Sequence, residues 1–243
     1  MSLDRLTEII KNSNNIVFFG GAGVSTESNI PDFRSESGIY STKNKYGYEP
    51  EYLLSHSFFR DHQKEFFNYY RENMLYPEAK PNKAHLALGK LEGMGKLKAV
   101  ITQNIDGLHQ LGGSKNVLEI HGSVHRNYCL SCYAEYPTEK IISSDSVPTC
   151  DKCGGIVRPD VVLYEEGLDA DVMERAVDYI RMAEVLIVGG TSLNVYPAAG
   201  LVEYFRGRDL VLINKTSTGY DGRATLILRD SIGEVLDYAV RRI

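Results

Sequence analysis

Residues 16–35 read IVFFGGAGVSTESNIPDFRS, and the fold turns on how this stretch is parsed. Ile16, Val17, Phe18 and Phe19 form a short apolar run, which predicts a buried strand. A strand that feeds glycines predicts a turn where backbone N–H groups approach a phosphate at a helix N-terminus. Gly21 and Gly23 start a G-x-G-x-x-G fingerprint, but Thr26 stands in the place of the third glycine. The acidic ribose-binding residue expected about 20 positions further on is also missing, because that region reads Tyr40, Ser41, Thr42, Lys43, Asn44. The dehydrogenase form of the site is disfavoured, and a phosphate cradle is what survives. Asp32, Phe33 and Arg34, which no phosphate loop requires, need another explanation.

Working outward, Lys98–Thr102, Val185–Gly189 and residues 210–214 are further short apolar runs that predict buried strands. Helical spacing appears in Leu3, Leu6, Ile9 and Ile10, and again in Ala84, Ala87, Leu88, Leu91 and Met94, with Asn82 as N-cap. A third helix is predicted through Val172, Ala176, Tyr179, Ile180 and Ala183. Apolar strands alternating with helices predict an α/β fold with a parallel sheet covered on both faces. Two stretches break the rhythm, a Tyr- and Phe-rich helical segment over residues 36–80 and a turn-rich segment over 124–157. Both read as insertions that build a smaller module, leaving residues 1–35, 81–123 and 158–243 to the main domain.

The 243 residues carry a formal net charge of −5, with 43% hydrophobic and 24% charged residues. That balance is ordinary for a globular protein and argues against a general nucleic-acid or anionic-membrane surface. No apolar run approaches the roughly 20 residues that span a bilayer. The first residues show no signal-peptide core, so a cytoplasmic location is expected.

The four cysteines form two pairs, Cys129-x-x-Cys132 and Cys150-x-x-Cys153, with 17 residues between them. This spacing reads as a four-thiolate zinc site, with each pair supplying two ligands from one turn. Two disulfides would be rare in a cytosolic chain, and a redox Cys-x-x-Cys needs no duplicate. Four thiolates leave no open position for water, so the predicted zinc is structural.

Polar residues recur where predicted strands end. Thr102, Gln103, Asn104 and Asp106 follow one, Gly190, Thr191 and Ser192 another, and Asn214 a third. Carboxyl ends of strands line the ligand crevice of an open parallel sheet, so a polar ligand is expected there. Of the six histidines, His121 lies where the main domain and the cysteine insertion should meet. His125 is closer to the zinc module, His109 reads as packed, and His56, His62 and His85 have no comparable setting. There is no Walker loop, no H-E-x-x-H and no G-x-S-x-G.

Together these motifs resemble one family, the sirtuins, NAD-dependent protein lysine deacylases of the bacterial type. The resemblance rests on Gly21-Ala22-Gly23-Val24-Ser25 with Ile30-Pro31-Asp32-Phe33-Arg34, then residues 102–106, His121-Gly122, the cysteine pairs, Arg158-Pro159 with Val161-Val162, and residues 190–193. It implies a Rossmann-like domain and a small domain of zinc ribbon and helical insertion, with NAD and an acyl-lysine peptide entering the cleft between them. Ala22, Thr26, Asp32, Phe33, Arg34, Gln103, Ile105, Gly190, Thr191, Ser192, Asn214 and Ile232 would then contact NAD. Asn104 and Asp106 would orient the ribose and nicotinamide, and His121 would serve as general base. Val161 and Leu163 on one side, with Leu193, Asn194 and Val195 on the other, would pair with the main chain of an acetyl-lysine protein substrate.

Two departures from the family pattern stand out. Tyr164-Glu165-Glu166 replaces the family's Phe-Gly-Glu, which would alter backbone approach and peptide charge preference. Phe67 and Tyr70 occupy the places where the desuccinylase branch carries tyrosine and arginine, so neutral acyl groups, acetyl first, are expected. A mono-ADP-ribosyltransferase on the same scaffold is the neighbouring alternative. A zinc-ribbon nucleic-acid adaptor is the remote one, opposed by the acidic charge.

Overall fold

Strands that are apolar at every position must be covered on both faces, and helices crossing between parallel strands supply that cover. The computed structural model describes residues 2–33 and 46–243. In chain order the strands are β1 (Ile16–Gly20), β2 (Leu97–Thr102), β3 (Val117–Glu119), β4 (Gly122–Cys129), β5 (Glu135–Tyr136), β6 (Val157–Val161), β7 (Val185–Gly189), β8 (Asp209–Ile213) and β9 (Leu226–Leu228). The helices are α1 (Ser2–Lys11), α2 (Pro50–Leu53), α3 (His56–Asp61), α4 (Gln63–Asn73), α5 (Lys83–Gly93), α6 (Leu108–Leu111), α7 (Thr138–Ile142), α8 (Ala170–Met182) and α9 (Ile232–Val240).

Among the described residues, six strands pair in parallel in the order β3-β2-β1-β7-β8-β9. Every residue of β1, β7 and β8 is buried, as the unbroken apolar runs predicted. Successive side chains leave opposite faces of a strand. Phe18 therefore packs with Leu6, Ile10, Leu88, Leu91 and Leu236 from α1, α5 and α9. Phe19 packs with Ile180 of α8 and with Leu201 on the other face. Asn82 caps α5 as expected: its side chain accepts the Ala84 N–H at 2.9 Å, and His85 Nδ1 accepts the Asn82 N–H at 3.1 Å.

A second sheet pairs β5-β4-β6 antiparallel. Its side chains Val124, Cys129 and Val157 share a core with Phe58, Phe59, Phe66, Phe67 and Tyr70 from α3 and α4. The rings meet edge to face, Phe66 against Phe67 at 5.4 Å and against Phe59 at 5.0 Å, the arrangement favoured by the aromatic quadrupole. The two stretches that broke the sequence rhythm thus pack on each other. Strands β4 and β6 cross residues 123/124 and 157/158, so the small sheet grows directly out of segments that leave the large one.

The strand order reverses between β1 and β7. In this register Gly20 lies opposite Gly189, which places two glycine-bearing carboxyl ends side by side at the point where α/β sheets bind ligands. The edge strands β3 and β9 were not predicted, because three residues each are too few to show a period.

Gly122 joins this frame to the small sheet. Its φ is +78°, and a Cβ there would collide with the Asp160 carbonyl oxygen across the β4–β6 pairing. Gly122→Ala is expected to cost about 2 kcal/mol or more in urea unfolding. A loss below about 0.5 kcal/mol would show that the close approach is not needed.

Candidate active site

The turn expected to cradle a phosphate is built from backbone. After β1 the chain makes two single 3-10 turns, Ala22–Val24 and Thr26–Ser28. The Gly23 N–H donates to the Gly190 carbonyl at 2.8 Å, and a Cβ on Gly23 would stand 2.8 Å from Gly190 Cα. Gly190 has φ +60° and an equally close neighbour in Gly23. The Thr26 hydroxyl donates to the Gly23 carbonyl at 3.0 Å, which ties the turn where a third glycine would have stood.

Side chains then link the other strand ends to this contact. Gln103, just past β2, donates its Nε2–H to Thr191 Oγ1 at 3.0 Å. Asn214, just past β8, accepts the Thr191 N–H at 3.0 Å. Its Nδ2 is buried and has no hydrogen-bond partner among the described residues. An orphaned donor at the carboxyl end of a strand fits a ligand rich in oxygen acceptors, as a dinucleotide is. Ser192 is half-buried beside these groups. Ile232 is only 4% exposed, and its side chain belongs to the core, packed beneath Gly189.

A second cluster lies beneath β2. Asn104 donates its Nδ2–H to Ser25 Oγ at 3.1 Å, and Ser25 donates its O–H to Asp106 Oδ2 at 2.6 Å. Asp106 Oδ1 accepts the Leu108 N–H at 2.9 Å. Burial raises the Asp106 pKa, while the Ser25 and Leu108 bonds oppose the rise. Ser25 was missed as a site residue. Its one signal was its place at the end of the glycine turn, where a hydroxyl can face the next strand's tip. Asp32 is half-buried, and Phe33 and Ile105 lean on the small sheet's core. Arg34 and residues 36–45 of the helical insertion lie outside the described residues.

His121 lies between β3 and β4. Its Nδ1–H donates to the Gln103 carbonyl at 3.0 Å, which leaves Nε2 as the nitrogen with a lone pair. Burial pulls its pKa below the ordinary histidine range, partly offset by the Gln103 bond, so the ring is neutral at pH 7. His109 is packed as expected, 1% exposed with its ring 4.7 Å from that of His85. Burial depresses both, His85 to about 4.

The two segments expected to pair with a peptide are tied to the same residues. The Val162 N–H donates to the His121 carbonyl at 3.0 Å, fixing the chain between Val161 and Leu163. The Leu193 N–H donates to Thr191 Oγ1 at 3.2 Å, and Asn194 and Val195 follow directly. Val161, Leu163 and Leu193 bury their side chains, while Asn194 is exposed. Arg158, 8% exposed, donates two bonds to Glu166 at 2.8 and 3.0 Å. Burial raises the Glu166 pKa, but bonds from Arg158, the Leu163 N–H and His56 outweigh it and bring the value to about 2.

Each Cys-x-x-Cys closes a tight turn, with the Tyr133 N–H donating to the Cys129 carbonyl and the Gly154 N–H to that of Cys150, both at 2.9 Å. All four sulfurs lie within 4.8 Å of one another. Sulfurs 2.3 Å from a tetrahedral Zn²⁺ stand about 3.8 Å apart, so Cys129, Cys132, Cys150 and Cys153 fit that ion. Tyr136 donates its O–H to Cys150 Sγ at 3.1 Å and orients one ligand. Cys129 and Cys150 also belong to the small sheet's core. Purified protein is expected to contain stoichiometric zinc, and its removal by chelator should melt this module before the parallel sheet. Hydrogen exchange unchanged over residues 124–157 after chelation would contradict the site.

The Sir2 family model matches residues 21–197. The NAD-dependent protein deacetylase of Clostridium acetobutylicum is 60% identical over 98% of both chains. The protein of the same name from Clostridium perfringens is 63% identical over 96% of both. Among solved structures, a Sir2 variant with deacetylated p53 peptide and 3′-O-acetyl ADP ribose superposes with a TM-score of 0.90 at 38% identity, covering 100% of this chain and 98% of that one. A Sir2–p53 peptide–NAD⁺ complex gives 0.86 at 38% identity, over 100% and 98%. With a glycine turn, a half-buried neutral histidine and a four-cysteine module in one frame, this chain belongs to the Sir2 family.

Proposed function

We propose that this chain is an NAD-dependent protein lysine deacetylase that releases nicotinamide and O-acyl-ADP-ribose. The observation that carries the reading is the double role of Gln103. Its side chain holds Thr191 in the phosphate cradle, and its carbonyl holds His121 Nδ1–H. One residue thus sets the distance between the dinucleotide site and the imidazole of His121. NAD, when bound, supplies the electrophilic ribose carbon and the leaving nicotinamide.

Ala22, Thr26, Gly190, Thr191, Ser192 and Asn214 hold the phosphates and the adenosine side of NAD, with Ile232 beneath them. Asp32, Phe33 and Ile105 wall the nicotinamide end. Asn104, held by Ser25 and Asp106, presents its amide in one orientation to the ribose and nicotinamide. His121 Nε2 takes a proton from a ribose hydroxyl, a task that requires its neutral form. Zn²⁺ on the four cysteines holds the small sheet and takes no part in the chemistry. The main domain of residues 1–35, 81–123 and 158–243 and the small domain of 36–80 and 124–157 form the two walls of this cleft.

Acetylated proteins are the substrates, bound by main-chain pairing to Val161 and Leu163 and to Leu193, Asn194 and Val195. Phe67 and Tyr70 are uncharged and fully buried in the small module's core, which supports neutral acyl groups. Neither position offers a cation to a carboxylated acyl group. No nucleic acid or membrane is a partner, and the enzyme is cytoplasmic. No helix among the described residues is long and apolar enough to cross a membrane.

Mass spectrometry of an acetyl-lysine peptide should show deacetylation and O-acetyl-ADP-ribose with NAD and neither without it. Turnover in the absence of NAD would sink the reading. His121→Ala should fold and lose about 10²-fold or more in kcat. Because the pKa of His121 is lowered, the rate should fall only as pH drops below about 6.5. A midpoint above 7 would remove His121 as the base.

A further inference from the structure

Residues 163–166 continue from β6 toward α8 and are bound unusually closely to α3. The Tyr164 N–H donates to the Leu54 carbonyl, and the His56 N–H to the Tyr164 carbonyl, both at 3.0 Å. His56 Nδ1 and Glu166 Oε1 pair at 2.9 Å. Between these anchors Glu165 has φ +75°, a left-handed backbone that costs a residue with a Cβ about 1–2 kcal/mol. Glu165 Oε2 accepts both the Ser57 N–H at 2.9 Å and the Ser57 O–H at 2.7 Å. A non-glycine residue keeps such a conformation only where its surroundings over-determine it. Here the surroundings are a two-bond clasp on Ser57.

We propose that Glu165 is a positioning residue for substrate: its clasp on Ser57 holds its own backbone N–H and C=O, which have no hydrogen-bond partner among the described residues, ready for main-chain pairing with the acyl-lysine peptide. The proposal rests on the reading of that segment as the peptide's strand partner. It also revises the expectation that Glu165 sets a charge preference. The carboxylate is occupied by Ser57, so its effect reaches every peptide equally, whatever residues flank the lysine. Preordering the strand before binding removes an ordering cost from association, and this appears in peptide affinity rather than in the chemical step.

The test compares Glu165→Gly, Glu165→Gln and Ser57→Ala with wild type on two acetyl-lysine peptides, one with acidic and one with basic flanks. Glu165→Gly should raise KM for both peptides by about tenfold or more, the scale of lost hydrogen bonds to a charged group. KM for NAD and kcat should stay within about twofold, as expected for an effect confined to peptide binding. Glu165→Gln keeps an acceptor oxygen and should recover most of the loss. The Ser57→Ala, Glu165→Gly double variant should be no worse than Glu165→Gly alone, because Glu165→Gly already removes both bonds of the clasp. An unchanged peptide KM overturns the proposal. So does a KM change confined to the basic peptide, or a parallel fall of kcat, NAD affinity and melting temperature. Wild type that binds no acetyl-lysine peptide overturns the functional reading and this role with it, whereas active wild type with indifferent variants overturns the clasp alone.

Discussion

The contact of Gly23 with Gly190 governs the rest of the cleft. It is backbone against backbone, with no room for a Cβ on either side, and it locks the tips of β1 and β7 together where the strand order reverses. Thr191 inherits its position from Gly190, and Gln103 and Asn214 are then fixed by their bonds to Thr191. His121 follows, because its Nδ1–H has the Gln103 carbonyl as partner. A rigid chain of short contacts therefore runs from the Gly23–Gly190 contact to His121. Such preorganisation matters because catalytic groups misplaced by about 1 Å can cost 10²-fold in rate.

Burial does two opposite jobs in the same cleft. It keeps His121 neutral, which leaves a lone pair on Nε2, and it raises the pKa of Asp106, which Ser25 and the Leu108 N–H then hold back. Neither group relies on an ion pair. Arg158 and Glu166 show the alternative solution. Burial that would neutralise the glutamate is outweighed by a bidentate guanidinium and a backbone N–H. That pair is structural: it stiffens the end of β6, with the Arg158 guanidinium 5.3 Å over the Phe59 ring.

The small module is joined to the large one by chain segments that already belong to the site. Strand β4 starts one residue after His121, and the Val124 N–H donates to the Ile105 carbonyl at 3.0 Å. His125 Nε2 meets the Asp106 carbonyl at 3.0 Å. The four-cysteine module thus supports the loop that carries Asn104 and Asp106. Metal chemistry and acyl chemistry are separated in space but share one backbone.

Much of this was legible in the residues themselves. Apolar runs specified β1, β7 and β8, because a strand buried on both faces leaves no polar position to disguise it, and β2 was legible despite its exposed Lys98. The Cys-x-x-Cys pairs specified their module, because ligand spacing is set by the geometry of one turn. The broken glycine fingerprint with residues 30–34, read beside the polar strand ends, pointed to the family. What the sequence could not express was partnership across distance. Ser25 joins Asn104 and Asp106 only once β1 and β2 lie side by side, and three-residue strands such as β3 and β9 exist only through their neighbours. Glu165 read as a charge facing the peptide, yet the fold turns its carboxylate onto Ser57, more than a hundred residues away in the chain. Local pattern determined the elements and the chemistry they carry; tertiary packing alone decided which groups meet, because hydrogen-bond partners are chosen by space and not by order along the chain.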